Sequence, residues 1–162
     1  MDSRKILTQR FGELEVPESR VISMEKPVLG FEGRREFVIV EARDTEPFAW
    51  LQSADDPDLA FLVINPSLFF PDYCIDVNRR EVADIGVSED STLEIFVIVS
   101  VGATAEETTV NLQGPIVINT EVCKAKQLVL ANSDYRVNQP LYGRSPVERA
   151  DGATSQRVAA RV

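Results

Sequence analysis

Three aspartates in one turn, two cysteines and no histidine make up the reactive inventory of this 162-residue chain. Without imidazole there is no His-based triad, no ordinary general base near neutral pH, and no zinc site except one built from thiolates and carboxylates. Cys74 and Cys123 lie too far apart in sequence for a metal knuckle, and each sits in an apolar or strand-like setting where a reduced thiol behaves as a small hydrophobe. Asp55, Asp56 and Asp58 could hold a cation or supply paired carboxylates. The loop lacks the glycine at the sixth position and the glutamate at the twelfth that a calcium loop uses. Two uses of this turn stand side by side: a carboxylate-dependent metal-binding module or enzyme, and a solvated turn whose carboxylates bond nearby backbone N–H groups. Gly30 and Gly33 are followed by neither a lysine-serine pair nor a dinucleotide pattern, so no phosphate loop is present. The expectation is a protein that is not an enzyme and that uses no cofactor or metal.

A second concentration of side chains runs through residues 47–73, which hold the only Trp together with Phe48, Phe61, Phe69, Phe70 and Tyr73. Beside Pro66 and Pro71, the group Leu68, Phe69, Phe70, Asp72 and Tyr73 carries more apolar surface than a turn requires. With Gln52 and Ser53 at the end of the neighbouring strand, these residues are expected to form part of a protein-binding face, Tyr73 offering apolar area with a polar tip. The competing use is that Phe69 or Phe70 plugs one end of the fold. Trp50 and Phe61, inside strands, are expected in the core. Asn65 and Asn119 follow apolar runs and should bond the backbone of the turns that end them.

The elements that must position these groups are short strands. Residues 4–8 and 13–16, divided by Gly12, read as a hairpin, and 21–24 as a further strand. The loop at 27–33 mixes Pro27, Gly30 and Gly33 with apolar residues that can anchor it. Strands are then expected at 36–40, 48–52 and 59–64, the last continuously apolar and so buried on both faces. One helical turn at 67–70 precedes a strand at 74–77 and a short helix at 78–86, with Asn78 as cap, Glu81 at the capping-box position, Gly86 as stop, and Val82 and Ile85 facing inward. Residues 92–101 alternate most clearly, Ile95, Val97 and Val99 on one face and Phe96, Ile98 and Ser100 on the other. Strands at 108–112, 116–118 and 127–130, with Val122 between them, complete the set. Some nine strands at such spacing imply an all-β, mainly antiparallel, single-domain barrel or sandwich with one or two short helices.

The sequence divides into a domain over residues 1–143 and a tail over 144–162. The first carries 13 basic and 24 acidic side chains, a charge of −11, and the second 4 and 2, or +2. The tail lacks aromatic residues and reads as flexible, with a weak helix at 156–161. An acidic body argues against direct nucleic-acid binding and favours a basic protein partner; Asp55, Asp56, Asp58, Glu106 and Glu107 are its candidate acidic surface. Acidity that merely maintains solubility accounts for the same composition. No apolar run approaches bilayer length, and the amino terminus is not a secretory signal, so the chain is expected in the cytoplasm, off the membrane, and as a monomer when free.

Several blocks taken together carry a family resemblance: PFAWLQS at 47–53, LAFLVINP at 59–66, PDY at 71–73 and NLQGPIVIN at 111–119, with RFGELEV at 10–16, LGFEG at 29–33 and QPLYG at 139–143 in the same order. This combination, spanning residues 4–143, resembles the flagellar assembly factor FliW family, departing from its pattern around residues 27–30. The resemblance implies a non-catalytic, barrel-like cytoplasmic protein that binds newly made flagellin and, when flagellin is scarce, the translational repressor CsrA. Release of flagellin mRNA from CsrA would then couple flagellin synthesis to export. A member that retains a single partner would carry the same blocks.

Overall fold

The computed structural model describes residues 2–75, 79–88, 91–131, 133–142 and 158–159. The chain begins with a hairpin of β1 (Ser3–Thr8) and β2 (Gly12–Pro17), paired in register from Ser3↔Pro17 to Thr8↔Gly12. Gly12 at φ +72° makes the tight return, and Thr8 Oγ1 closes it by accepting from the Phe11 N–H at 2.8 Å and donating to the Gly12 carbonyl at 2.7 Å.

Seven of the strands that follow close on themselves. They are β3 (Ile22–Lys26), β4 (Glu36–Glu41), β5 (Ala49–Ser53), β6 (Ala60–Ile64), then, beyond β7 (Cys74–Ile75), β8 (Leu93–Ser100), and, beyond β9 (Thr109–Val110), β10 (Ile116–Asn119) and β11 (Lys124–Gln127). Neighbours pair in the order β3, β4, β5, β6, β8, β10, β11, and β11 returns to β3. That last pair is parallel; the others are antiparallel. The all-β barrel expectation therefore holds, and closure leaves no edge in this circuit. A two-residue strand β12 (Gln139–Pro140) extends the sheet through β9.

Alternation along β8 builds two cores at once. Phe96 and Ile98 join Phe37, Leu51, Val63, Ile116 and Ile118 in one cluster, while Ile95, Val97 and Val99 join Ile64, Val117, Leu112 and Leu128 in the other. The first lies within the barrel and is closed by Val28 and Phe31 of the 27–33 loop, the Phe31 ring standing edge-on to Phe61 at 5.0 Å. The second lies between the barrel wall and a layer made by residues 66–75, 79–86, 128–131 and 133–141. β6 feeds both clusters, as its unbroken apolar run requires: Phe61 and Val63 point one way, Leu62 and Ile64 the other.

Several boundaries differ from the sequence expectation. The expected helix at 78–86 is a single α turn, α1 (Arg79–Val82), followed by a 3-10 turn at Ala83–Ile85; Asn78 lies outside the described residues, whereas Gly86 ends the element at φ +73°. Val82 and Ile85 are buried as their spacing implied. Of the strand expected at 74–77, only the first two residues are described. Instead of a strand at 127–130, the chain forms β11 three residues earlier, and Val122 lies exposed in the turn before it. The charged sequence KAKQ hides this strand, because the outward-facing Lys126 is paired rather than solvated. In the tail, Val158–Ala159 form a short strand, β13, antiparallel to β7, where helix was expected; the flexibility expected of the rest concerns residues outside those described.

Candidate protein-interaction site

The segment after β6 begins with a capped 3-10 turn. Asn65 Oδ1 accepts from the Ser67 N–H at 3.0 Å and from the Ser67 hydroxyl at 2.9 Å, and Pro66 occupies the first position of Pro66–Leu68, where its missing N–H costs nothing. Asn119 does the equivalent service after β10, accepting from the Glu121 N–H and donating to the Ile85 carbonyl at 2.9 Å. Both asparagines therefore act on turn backbone, as expected from their positions.

That turn splits the expected binding face. Leu68 is thrust outward, 56% exposed, and Asp72 is exposed as well. Phe69 is half-buried, stacked edge-on against Tyr142 at 5.7 Å and tilted against Phe48 at 6.4 Å. Phe70 and Tyr73 turn inward into the outer core, Tyr73 with 1% of its surface exposed. Its ring packs on Tyr135 at 4.6 Å and its hydroxyl donates to the Leu112 carbonyl at 2.7 Å, while burial first and Tyr135 second push the phenol far above its usual range. Phe70 and Tyr73 are thus interior residues, a correction of the expectation that they line a surface.

Gln52 and Ser53 are corrected in the same way, both fully buried. They serve the β5–β6 turn: Gln52 Nε2 donates to the Ser53 and Leu59 carbonyls at 3.0 Å, and Ser53 Oγ accepts from the Asp55 and Asp56 N–H groups at 3.1 and 2.9 Å. Polar side chains at a strand end read equally as surface or as turn scaffold, and here the unpaired backbone groups of the turn claim them. What remains on the surface is Leu68, Phe69 and Asp72, joined by Tyr142 at 46% exposure. In sequence, Tyr142 belongs to the QPLYG block, and an aromatic residue there is the one local signal for this position.

The aspartate turn is similarly committed. Asp55 accepts from the Arg35 and Glu36 N–H groups at 2.8 and 2.9 Å, pinning the entry to β4. Asp56 accepts from the Asp58 N–H at 3.0 Å and pairs with Arg34 at 3.0 Å, and these two, in that order, hold its carboxyl below the usual range. Among the described residues no three carboxylates or thiols converge on a point that could hold a metal. Glu107 ties its own loop, accepting from the Ala103 N–H at 3.1 Å, whereas Glu106 is exposed. Because β6 and β8 are antiparallel, the turn entering β6 and the loop leaving β8 lie at the same end of the barrel, so the five named acids share one end. Trp50 is half-buried rather than enclosed, covered on the barrel's outside by Phe11 at 6.3 Å and by the Arg10 guanidinium at 3.9 Å. Both cysteines are free and half-buried. Among the described residues no helix is long and apolar enough to cross a membrane.

Comparison with known proteins places these features. The profile of the family described as FliW protein matches residues 5–141. The flagellar assembly factor FliW of Heliobacterium modesticaldum is 38% identical over 148 residues, covering 91% of this chain and 97% of that protein. That of Leptospira interrogans is 37% identical over 145 residues, covering 89% and 97%. A crystal structure of the flagellar assembly factor FliW superposes with a TM-score of 0.79 at 33% identity, covering 86% of this chain and 98% of that one.

Proposed function

Since the chain belongs to the FliW family, whose curated relatives are named flagellar assembly factors, we propose that it is a cytoplasmic, non-catalytic binding protein with two alternative partners. One is newly made flagellin; the other is the RNA-binding regulator CsrA, captured when flagellin is scarce so that flagellin mRNA is released for translation. Synthesis of flagellin then follows its removal by export.

The observation that carries this reading is the apolar surface offered by exposed Leu68 and by Tyr142 packed on half-buried Phe69, with Asp72 exposed in the same segment as Leu68. An amphipathic terminal helix of flagellin offers an apolar stripe of the kind such a patch accepts, and Tyr142 supplies area with little rotamer entropy to lose. Net charge supports the second partner: an RNA-binding regulator is basic where it meets phosphate, and a chain at −9 attracts it over a range of about 10 Å at 0.1 M salt. The acids at the β5–β6 end supply part of that field.

Calorimetry with the host's flagellin and CsrA, alone and together and at two salt concentrations, tests the reading. Binding of both is expected, with flagellin displacing CsrA and only the CsrA affinity falling steeply with salt. Leu68→Ser, at an exposed position, should weaken flagellin binding while changing stability by no more than about 0.5 kcal/mol, and Tyr142→Ser should weaken it too at a cost of about 0.5–1.5 kcal/mol for the lost ring contact with Phe69. Absence of binding to either partner would overturn the proposal.

A further inference from the structure

Lys126 stands where lysine is rarely found, in β11 with 4% of its surface exposed. Its ammonium donates to the Asp84 carboxylate at 3.0 and 3.2 Å and to the Glu81 carbonyl, so the charge is paired as burial demands. This pair lines a cleft of about 690 Å³ between the loop after β3 and the α1 segment. Lys126 and Asp84 cancel one another. The walls then carry Lys26 and Arg80, neither of which has a carboxylate partner among the described residues, against Glu81 alone. Three cations less two acids leave the lining at +1 on a chain whose total is −9.

The apolar part of the cleft is exposed and held in place. Leu29 and Val129 stand at its rim, 68% and 57% exposed. Leu29 is not there through slackness: its N–H donates to Gln127 Oε1 at 3.0 Å, Gln127 Nε2 donates to the Gly114 carbonyl at 3.0 Å, and Gly30 beside it turns at φ +91°. Val28 and Phe31 of the same loop pack into the barrel core, so Leu29 is the large apolar residue this loop presents outward, with Glu32 exposed as well.

We propose that this cleft docks a short acidic segment of a partner protein, its carboxylates reaching Lys26 and Arg80 and an apolar side chain seated between Leu29 and Val129. The chemistry selects among occupants. A long polyanion such as RNA would meet the repulsion of the whole acidic body, whereas a short segment feels chiefly the local field. A small molecule is normally enclosed over most of its surface, which this open trough with exposed rim residues does not offer. The site uses different residues from the Leu68–Tyr142 patch and does not depend on the partners proposed above.

Fluorescence anisotropy with the full-length protein tests this, using as probes a fluorescein-labelled amphipathic peptide of Glu and Leu and its counterpart with Lys in place of Glu. The acidic probe should bind saturably and more weakly as salt rises. Lys26→Glu and Arg80→Glu, and independently Leu29→Ser, should each lower its affinity about tenfold or more, with thermal melts unchanged and Leu68→Ser without effect. Equal binding of the two peptides, wild-type affinity in the charge variants, or no saturable binding of the acidic probe would overturn the proposal.

Discussion

Replacing Tyr73 by Phe removes a single oxygen from the interior and makes a sharp test of where this tyrosine points. The ring would keep its place against Tyr135, so the change isolates the 2.7 Å hydrogen bond to the Leu112 carbonyl. A buried acceptor left without its donor costs about 1–3 kcal/mol, and the vacated space is too small to admit a bridging water. For a chain of this size each 1 kcal/mol lowers the melting midpoint by roughly 2–4 °C, so a fall of about 2–12 °C is expected. Urea unfolding should show the same loss with an unchanged slope. Alkaline pH adds an independent signature. The folded-state phenol is held above its usual range, so the native state keeps its proton while the unfolded tyrosine loses one above about pH 10. Stability of the wild type should then decline by up to about 1.4 kcal/mol per pH unit through this group, a slope the Phe variant lacks. Affinity for a protein partner should not change. A variant with wild-type stability and weakened partner binding would refute the assignment of Tyr73 to the core.

Two further substitutions test other parts of the structure. Gly102→Ala should destabilise by about 1–3 kcal/mol in urea unfolding, because a Cβ there collides with Glu107 in a loop already closed by the Gly102 and Ala103 N–H groups; a neutral effect would mean that the loop is not built as described. Glu94→Gln should raise stability at neutral pH, since burial first and the neighbouring Glu41 second lift the Glu94 carboxyl above its usual range and so make its charged form unfavourable in the native state. As pH falls through that raised value toward the unfolded carboxylate's, the wild type should regain the difference and the two proteins converge; a gap independent of pH would discard this account.

The strand pattern was legible because it is written locally. In β8 a period of two separates Ile95, Val97 and Val99 from Phe96 and Ile98, and the structure sends the two sets to the two cores. Turn chemistry was legible for the same reason: Asn65 and the Asn119 Oδ1 bond backbone two residues on, and Gly86 ends its own element, whereas the Asn119 bond to the Ile85 carbonyl is long-range. β11 was not, because Lys126 is tolerable on a covered wall only when Asp84, 42 positions earlier, comes to meet it.

The binding face divides along the same line. From sequence alone came the all-β class, most of the strands, the acidity and the concentration of apolar side chains at 68–73, all properties of near neighbours or of composition. Which of those side chains face water depended on the tertiary structure. Phe70 and Tyr73 are interior, sharing a core with Leu112 and Tyr135, the Tyr73 hydroxyl reaching a carbonyl 39 positions away, while Leu68 and Tyr142 stay exposed. Burial of a loop residue is decided by whatever distant segment settles on it, and no periodicity within six residues carries that information.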